Sequence, residues 1–129
     1  MIKPNTLFFF LTASTLAATH YLALEFYLYW LYPWFDVPMH FLGGVTAALG
    51  YLSIHDFVSF LPLAFYRFLP TVAFVLLVAL AWEVFEAAAG LTEGQLDYVV
   101  DTATDICLGL FGGSLGYFVG KWVGYFNYG

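Results

Sequence analysis

The stretch LPTVAFVLLVALAWEVFEAAA, residues 69–89, decides the class of fold. It carries no charged side chain before Glu83, and it has the length of a helix that crosses a bilayer, which takes about 20 apolar residues. Only helices and closed barrels satisfy their backbone hydrogen bonds inside a membrane. A barrel strand would alternate apolar and polar residues, whereas this run is continuous. The stretch therefore predicts a transmembrane helix.

Similar apolar runs lie on both sides of this stretch. The four predicted spans are 7–31, 36–54, 69–89 and 96–125. They predict an all-α polytopic membrane protein, a four-helix transmembrane bundle in which residues 1–129 form a single transmembrane domain. The aromatic segment 57–67 contains Pro62 and is either a short interfacial helix between spans two and three or the beginning of span three.

The composition of the chain excludes other classes of protein. Hydrophobic residues make up 63% and charged residues 9%, against about 25% charged residues in soluble domains. A net charge of -6 with 3 Lys and Arg residues repels phosphate, so we expect no nucleic acid partner. The single cysteine, Cys107, excludes an intrachain disulfide. The expected partners are membrane lipid and other membrane chains, in a homo-oligomer or a larger membrane complex.

The basic residues predict how the chain is oriented. Lys3 precedes span one, Arg67 lies between spans two and three, and Lys121 lies near the end of span four. In a four-span protein these positions share one side of the membrane. Because positive residues favour the cytoplasmic side, we expect a multi-pass protein of the cytoplasmic (inner) membrane with its N- and C-termini in the cytoplasm. His55 and Asp56 then fall on a cytoplasmic loop, and we expect them to be solvated.

Ionisable residues gather at the opposite ends of spans two, three and four. They are Asp36, His40, Glu83, Glu86, Asp97, Asp101 and Asp105. At about 100° per residue they share helical faces with glycine and alanine, and small residues mark the faces where membrane helices pack closely. We therefore expect these side chains to point into the bundle. Ionisable residues inside membranes are rare and are usually functional.

An acidic group of this size needs compensating positive charge. Two unit charges 4 Å apart repel by about 4 kcal/mol at an effective dielectric constant of 20, so either protons or cations must neutralise the group. Carboxylates with one imidazole suit Mg²⁺, Mn²⁺, Fe²⁺ or Zn²⁺. We predict a divalent metal ion as cofactor, with the ligands His40, Glu83, Asp101 and Asp105. Glu86 or Asp36 is the predicted general base.

Some of these residues also have plainer interpretations. Asp36 and Asp97 are suited to solvated helix N-termini, because aspartate favours capping and the helix dipole. His40 has the alternative of a packing histidine inside the bundle. His20, on span one, is predicted to be a hydrogen-bonded packing residue, and Glu25 has no ionisable partner one helical turn away.

Three segments carry a resemblance to a known family. They are FDVPMHFLGG (35–44), AWEVFE (81–86) and DYVVDTATDICLGLFGGSLG (97–116). They resemble the YjdF-like bacterial inner-membrane proteins, and more distantly the VanZ-like membrane proteins. The resemblance implies a shared Asp, His and Glu site without implying a particular reaction. Glu86 and Asp105 stand where VanZ-like proteins usually carry Gln and Asn, so this site is the more acidic.

Three functions from different classes fit these features. The first is a metal-dependent membrane hydrolase or transferase that acts on a lipid or envelope substrate near the outer leaflet. The second is a cation- or proton-coupled transporter, although four helices and the lack of a polar path below the acids argue against a pore. The third is a non-catalytic subunit or scaffold with a structural ion site.

Overall fold

The protein is a bundle of α-helices, described by a computed structural model. The structure describes residues 3–58, 60–90 and 97–125, with the side chain of Tyr125 excepted. Its five α-helices are α1 Pro4–Glu25, α2 Leu28–Leu31, α3 Asp36–Phe57, α4 Phe68–Ala88 and α5 Tyr98–Tyr125. Four of them are long and apolar enough to cross a membrane. The predicted all-α bundle with four spans is confirmed.

The first predicted span is broken near its end. Helix α1 stops at Glu25, and Tyr27 adopts a left-handed backbone conformation with φ 56°. The chain then forms α2 and a 3-10 turn over Pro33–Phe35 before α3 begins. The continuous helix predicted over 7–31 is therefore wrong after Glu25. The apolar run continues through the break without a glycine or proline, so the sequence lacks the usual signal for it.

The other boundaries lie close to the predicted ones. Helix α3 extends to Phe57, three residues beyond the predicted end at 54. Helix α4 ends at Ala88, and Gly90 follows with φ 72°, the conformation that favours glycine after a helix. Helix α5 begins at Tyr98, while the predicted start at 96 lies outside the described residues. A 3-10 helix, Leu63–Tyr66, occupies part of the segment between the second and third spans.

Helix α3 is the centre of the bundle, since it packs against α1, α4 and α5. Its closest neighbour is α5, and glycines make that approach possible. A Cβ atom at Gly44 would overlap the carbonyl group of Gly109, and one at Gly116 would lie 2.8 Å from the carbonyl oxygen of Val45. Small residues allow membrane helices to pack backbone to backbone, so the spacing of these glycines fixes the depth at which α3 and α5 meet.

All three basic residues lie at one end of the bundle. Lys3 Nζ is 3.8 Å from Asp56 Oδ1 near the end of α3. Arg67 precedes Phe68, whose ring contacts that of Tyr117 on α5 at 5.3 Å, and Lys121 is one turn beyond Tyr117. Asp56 is not the solvated loop residue that we expected, because α3 continues past it and its side chain is only 4% exposed.

Candidate metal centre

The candidate centre is built around His40, at the end of the bundle opposite the basic residues. Asp36 is the first residue of α3, and His40 follows one turn later on the same face. Their side chains meet, with 3.3 Å between His40 Nε2 and Asp36 Oδ2. The side chain of His40 is 10% exposed and that of Asp36 34% exposed, so the pair reaches from the bundle interior toward its surface.

Helix α5 contributes Asp105 to the same ring nitrogen. Asp105 Oδ2 lies 3.7 Å from His40 Nε2, and Asp105 is buried. The glycine contact between the helices explains this meeting. Asp105 lies one turn before Gly109, and His40 lies one turn before Gly44. Because the two backbones approach each other at these glycines, the polar side chains one turn earlier on each helix are also brought together.

Helix α4 supplies two glutamates to the surroundings of the same histidine. Its C-terminal turns carry Glu83 and Glu86, and one carboxylate oxygen of each lies within 4.8 Å of a His40 ring nitrogen and of the other. Glu83 is only 6% exposed. Within the described ranges, Glu83 makes no hydrogen bond and no ion pair. A buried carboxylate in this state is costly, because burial removes the water that stabilises its charge.

The spacing of these atoms suits a bound cation. Asp36, His40 and Asp105 each offer one ligand atom within 4.8 Å of the others, and so do His40, Glu83 and Glu86. Ligands held at about 2.0–2.2 Å from one ion lie about 2.8–3.6 Å apart in tetrahedral or octahedral geometry. The contact between His40 and Asp36 falls in that range, and the contact between His40 and Asp105 lies just beyond it.

Two predicted acids lie apart from these groups. Asp101 and Asp97 are exposed, and neither belongs to a group of candidate ligands among the described residues. Asp101 shares a helical stripe with Asp105 but lies one turn nearer the beginning of α5. The ligand role predicted for Asp101 stays a prediction, and the other five predicted site residues are the ones that the structure brings together.

Tyr29 is a neighbour of the centre that the sequence did not reveal. Its hydroxyl lies 2.8 Å from His20 Nδ1, and its ring packs against that of Phe35 at 5.5 Å, edge to face. Burial, followed by the negative charges of Asp36 and Glu86, raises the pKa of Tyr29 to about 12. The break after Glu25 is what turns Tyr29 back toward the bundle. The hydrogen bond confirms the packing interpretation of His20.

The comparison with known families agrees with this architecture. Residues 4–124 match the model of a family described as predicted membrane protein (DUF2238). The chain belongs to this family. No curated protein and no solved structure gives a significant match to it. The expectation of an integral membrane protein with transmembrane helices is thereby confirmed.

Proposed function

We propose that this DUF2238 protein binds one divalent metal ion at the acid–histidine cluster (Asp36, His40, Glu83, Glu86 and Asp105) and uses it to hydrolyse or transfer a group on a lipid or envelope substrate. The observation that carries the proposal is Glu83, a residue only 6% exposed whose carboxylate has no hydrogen bond or ion pair among the described residues. It faces a histidine that three further carboxylates approach. A cation would satisfy all of these groups at once.

The geometry suggests a role for each side chain. His40, Asp36 and Asp105 converge on one point and are the proposed core of the ligand set, which Glu83 completes from α4. Glu86 is less buried than Glu83 and is the proposed general base that takes the proton from an attacking water or hydroxyl group. A divalent ion in such a set polarises a phosphoryl or carbonyl oxygen of the substrate.

The proposed setting follows from the distribution of charge. Lys3, Arg67 and Lys121 mark the cytoplasmic end of the bundle under the positive-inside rule. The acid–histidine cluster then faces the outer leaflet of the inner membrane, and both termini face the cytoplasm. Membership in the DUF2238 family is consistent with the proposed likeness to YjdF-like proteins.

Turnover of defined lipids tests the proposed reaction. The purified protein is placed in vesicles that contain phosphatidylglycerol and phosphatidic acid, each divalent ion is supplied in turn, and products are followed by phosphorus nuclear magnetic resonance. We expect a metal-dependent product from the wild-type protein. Glu86→Gln is expected to keep its metal and to lose at least about 100-fold in rate, the usual range for loss of a general base.

The outcomes of this experiment separate the three functions. Metal binding by both proteins without any product, across a panel extended to glycolipids and isoprenoid phosphates, would contradict the hydrolase or transferase and favour the scaffold with a structural ion site. Uptake of the divalent cation into the vesicles without any product would favour the transporter. Retention of full activity in Glu86→Gln would remove that residue from the proposed role.

A further inference from the structure

Helices α1 and α4 flank α3 without closing on each other. Phe9 of α1 lies beside Gly50, where a Cβ atom would come within 2.8 Å of its ring. Phe74 of α4 stacks on Tyr51 at 4.9 Å. Among the described residues, α1 and α4 do not pack against each other along their lengths. A gap therefore runs between them, with α3 as its floor.

Gly43 lies on the floor of this gap. At about 100° per residue, Gly43 and Ala47 fall between the face of α3 that carries Gly50 and the face that carries Tyr51. A Cβ atom at Gly43 would meet no atom within 4 Å, although Gly43 is partly buried. The next residue, Gly44, has backbone atoms of α5 directly against it. The space beside Gly43 is thus unfilled, whereas the space beside Gly44 is full.

Polar and aromatic side chains cross the gap near the acid–histidine cluster. The ring of His20 on α1 meets the ring of Trp82 on α4 edge to face, with centroids 6.0 Å apart. His20 also forms a hydrogen bond with the hydroxyl of Tyr29. Gly43 lies one turn along α3 from His40. The open space beside Gly43 therefore lies one turn from the cluster, where Glu83, a residue only 6% exposed and without a hydrogen bond or ion pair among the described residues, independently indicates a ligand.

We propose that the gap between α1 and α4 beside Gly43 holds the hydrocarbon chain of an anionic lipid whose head group lies at the acid–histidine cluster. The inference rests on the proposed metal site, because an anionic head group is repelled by these carboxylates unless a cation lies between them. The gap lies within the apolar spans, so a hydrocarbon chain matches its depth. An amphiphile of this kind satisfies both the charged end and the apolar floor.

Photo-crosslinking tests this assignment directly. The probe is dodecyl phosphate with a diazirine on its chain, added to the detergent-purified protein with and without Mn²⁺, and the labelled peptides are mapped by mass spectrometry. We expect labelling of α1 and α4 residues along the gap that requires Mn²⁺. Gly43→Leu fills the space and is expected to reduce this labelling about tenfold while metal stoichiometry stays unchanged. Ala103→Leu, at an exposed small residue on α5, is the matched control and is expected to label like the wild-type protein.

The result that overturns the inference is unchanged labelling of the gap in Gly43→Leu, or labelling of the wild-type protein on the outer face of α5 instead. If Gly43→Leu fails to fold, the map of the wild-type protein still decides between the two locations. Metal stoichiometry, measured on the same samples, separates this inference from the proposed function. Bound metal without labelling of the gap overturns the lipid assignment alone. A gap labelled equally without any bound metal overturns the metal site and, with it, the placement of the anionic head group at the cluster.

Discussion

The two ends of the bundle differ in how their buried charges are compensated. At the end where α1 begins, Asp56 pairs with Lys3, and Thr6 donates a hydrogen bond of 2.6 Å to its other carboxylate oxygen. At the opposite end four carboxylates surround one histidine, and all 3 Lys and Arg residues of the chain lie far from it.

This contrast identifies which end depends on something outside the chain. Asp56 finds its counter-charge and its hydrogen bond within the protein, as buried ionised groups usually do. The acid–histidine cluster has one imidazole for several acids. The charge of this cluster is therefore balanced only when protons or a cation are added, and this is the physical basis for the proposed metal centre.

The largest expected effect comes from Asp105→Ala, which removes the α5 carboxylate from His40. We expect metal affinity to fall by more than the roughly 10–100-fold that follows loss of an outer-shell partner. A competitive titration against a chromophoric chelator measures the change. Asp56→Ala removes a buried carboxylate at the other end and is the matched control. Equal losses in both variants would contradict the assignment of metal binding to one end.

The effect of Glu83→Gln on stability is expected to change sign when metal is added. Without metal, the variant removes an uncompensated buried charge and is expected to unfold less readily than the wild-type protein, by about 3 kcal/mol. With saturating metal, the wild-type protein gains stability from binding, and the variant gains less. Thermal unfolding in detergent, with and without metal, shows whether the order of the two proteins inverts. If the order of stability of the two proteins is the same with and without metal, Glu83 is not a charged ligand of the ion.

Much of the fold can be predicted from the sequence, and the predictions that failed did so for local reasons. The lengths of the apolar runs were sufficient for the four spans, and a spacing of one turn placed Asp36 beside His40. The break after Glu25 was missed because Phe26 and Tyr27 are ordinary in a helix. Asp101 and Asp105 share one stripe, so periodicity could not choose between them. The choice depends on the depth at which Gly44 meets Gly109, which is a tertiary contact.

A smaller effect is expected for Asp56→Ala on stability. The variant removes the acceptor of Thr6 and the partner of Lys3, and we expect a loss of about 2 kcal/mol, typical of a hydrogen bond to a charged group. Because this end is self-sufficient, the loss should be the same with and without metal. A loss that disappears on adding metal would break the separation between the two ends.

The smallest effect is expected for Asp101→Asn. Its side chain is exposed and outside both groups of candidate ligands, so we expect a change in stability below about 0.5 kcal/mol and no change in metal stoichiometry. The same chelator titration checks it. A loss as large as that of Asp105→Ala would restore the ligand role predicted for Asp101 and would mean that α5 shifts along its axis when metal binds.

The metal content of the purified protein tests most directly whether the acid–histidine cluster takes its counter-charge from a metal ion. The wild-type protein and a Glu83→Gln/Asp105→Asn double variant are each loaded with Mg²⁺, Mn²⁺, Fe²⁺ or Zn²⁺, washed and analysed by mass spectrometry. We predict close to one ion per chain in the wild-type protein for at least one of these metals, and none in the double variant. Wild-type protein without metal in every case, or equal metal in both proteins, would contradict the account.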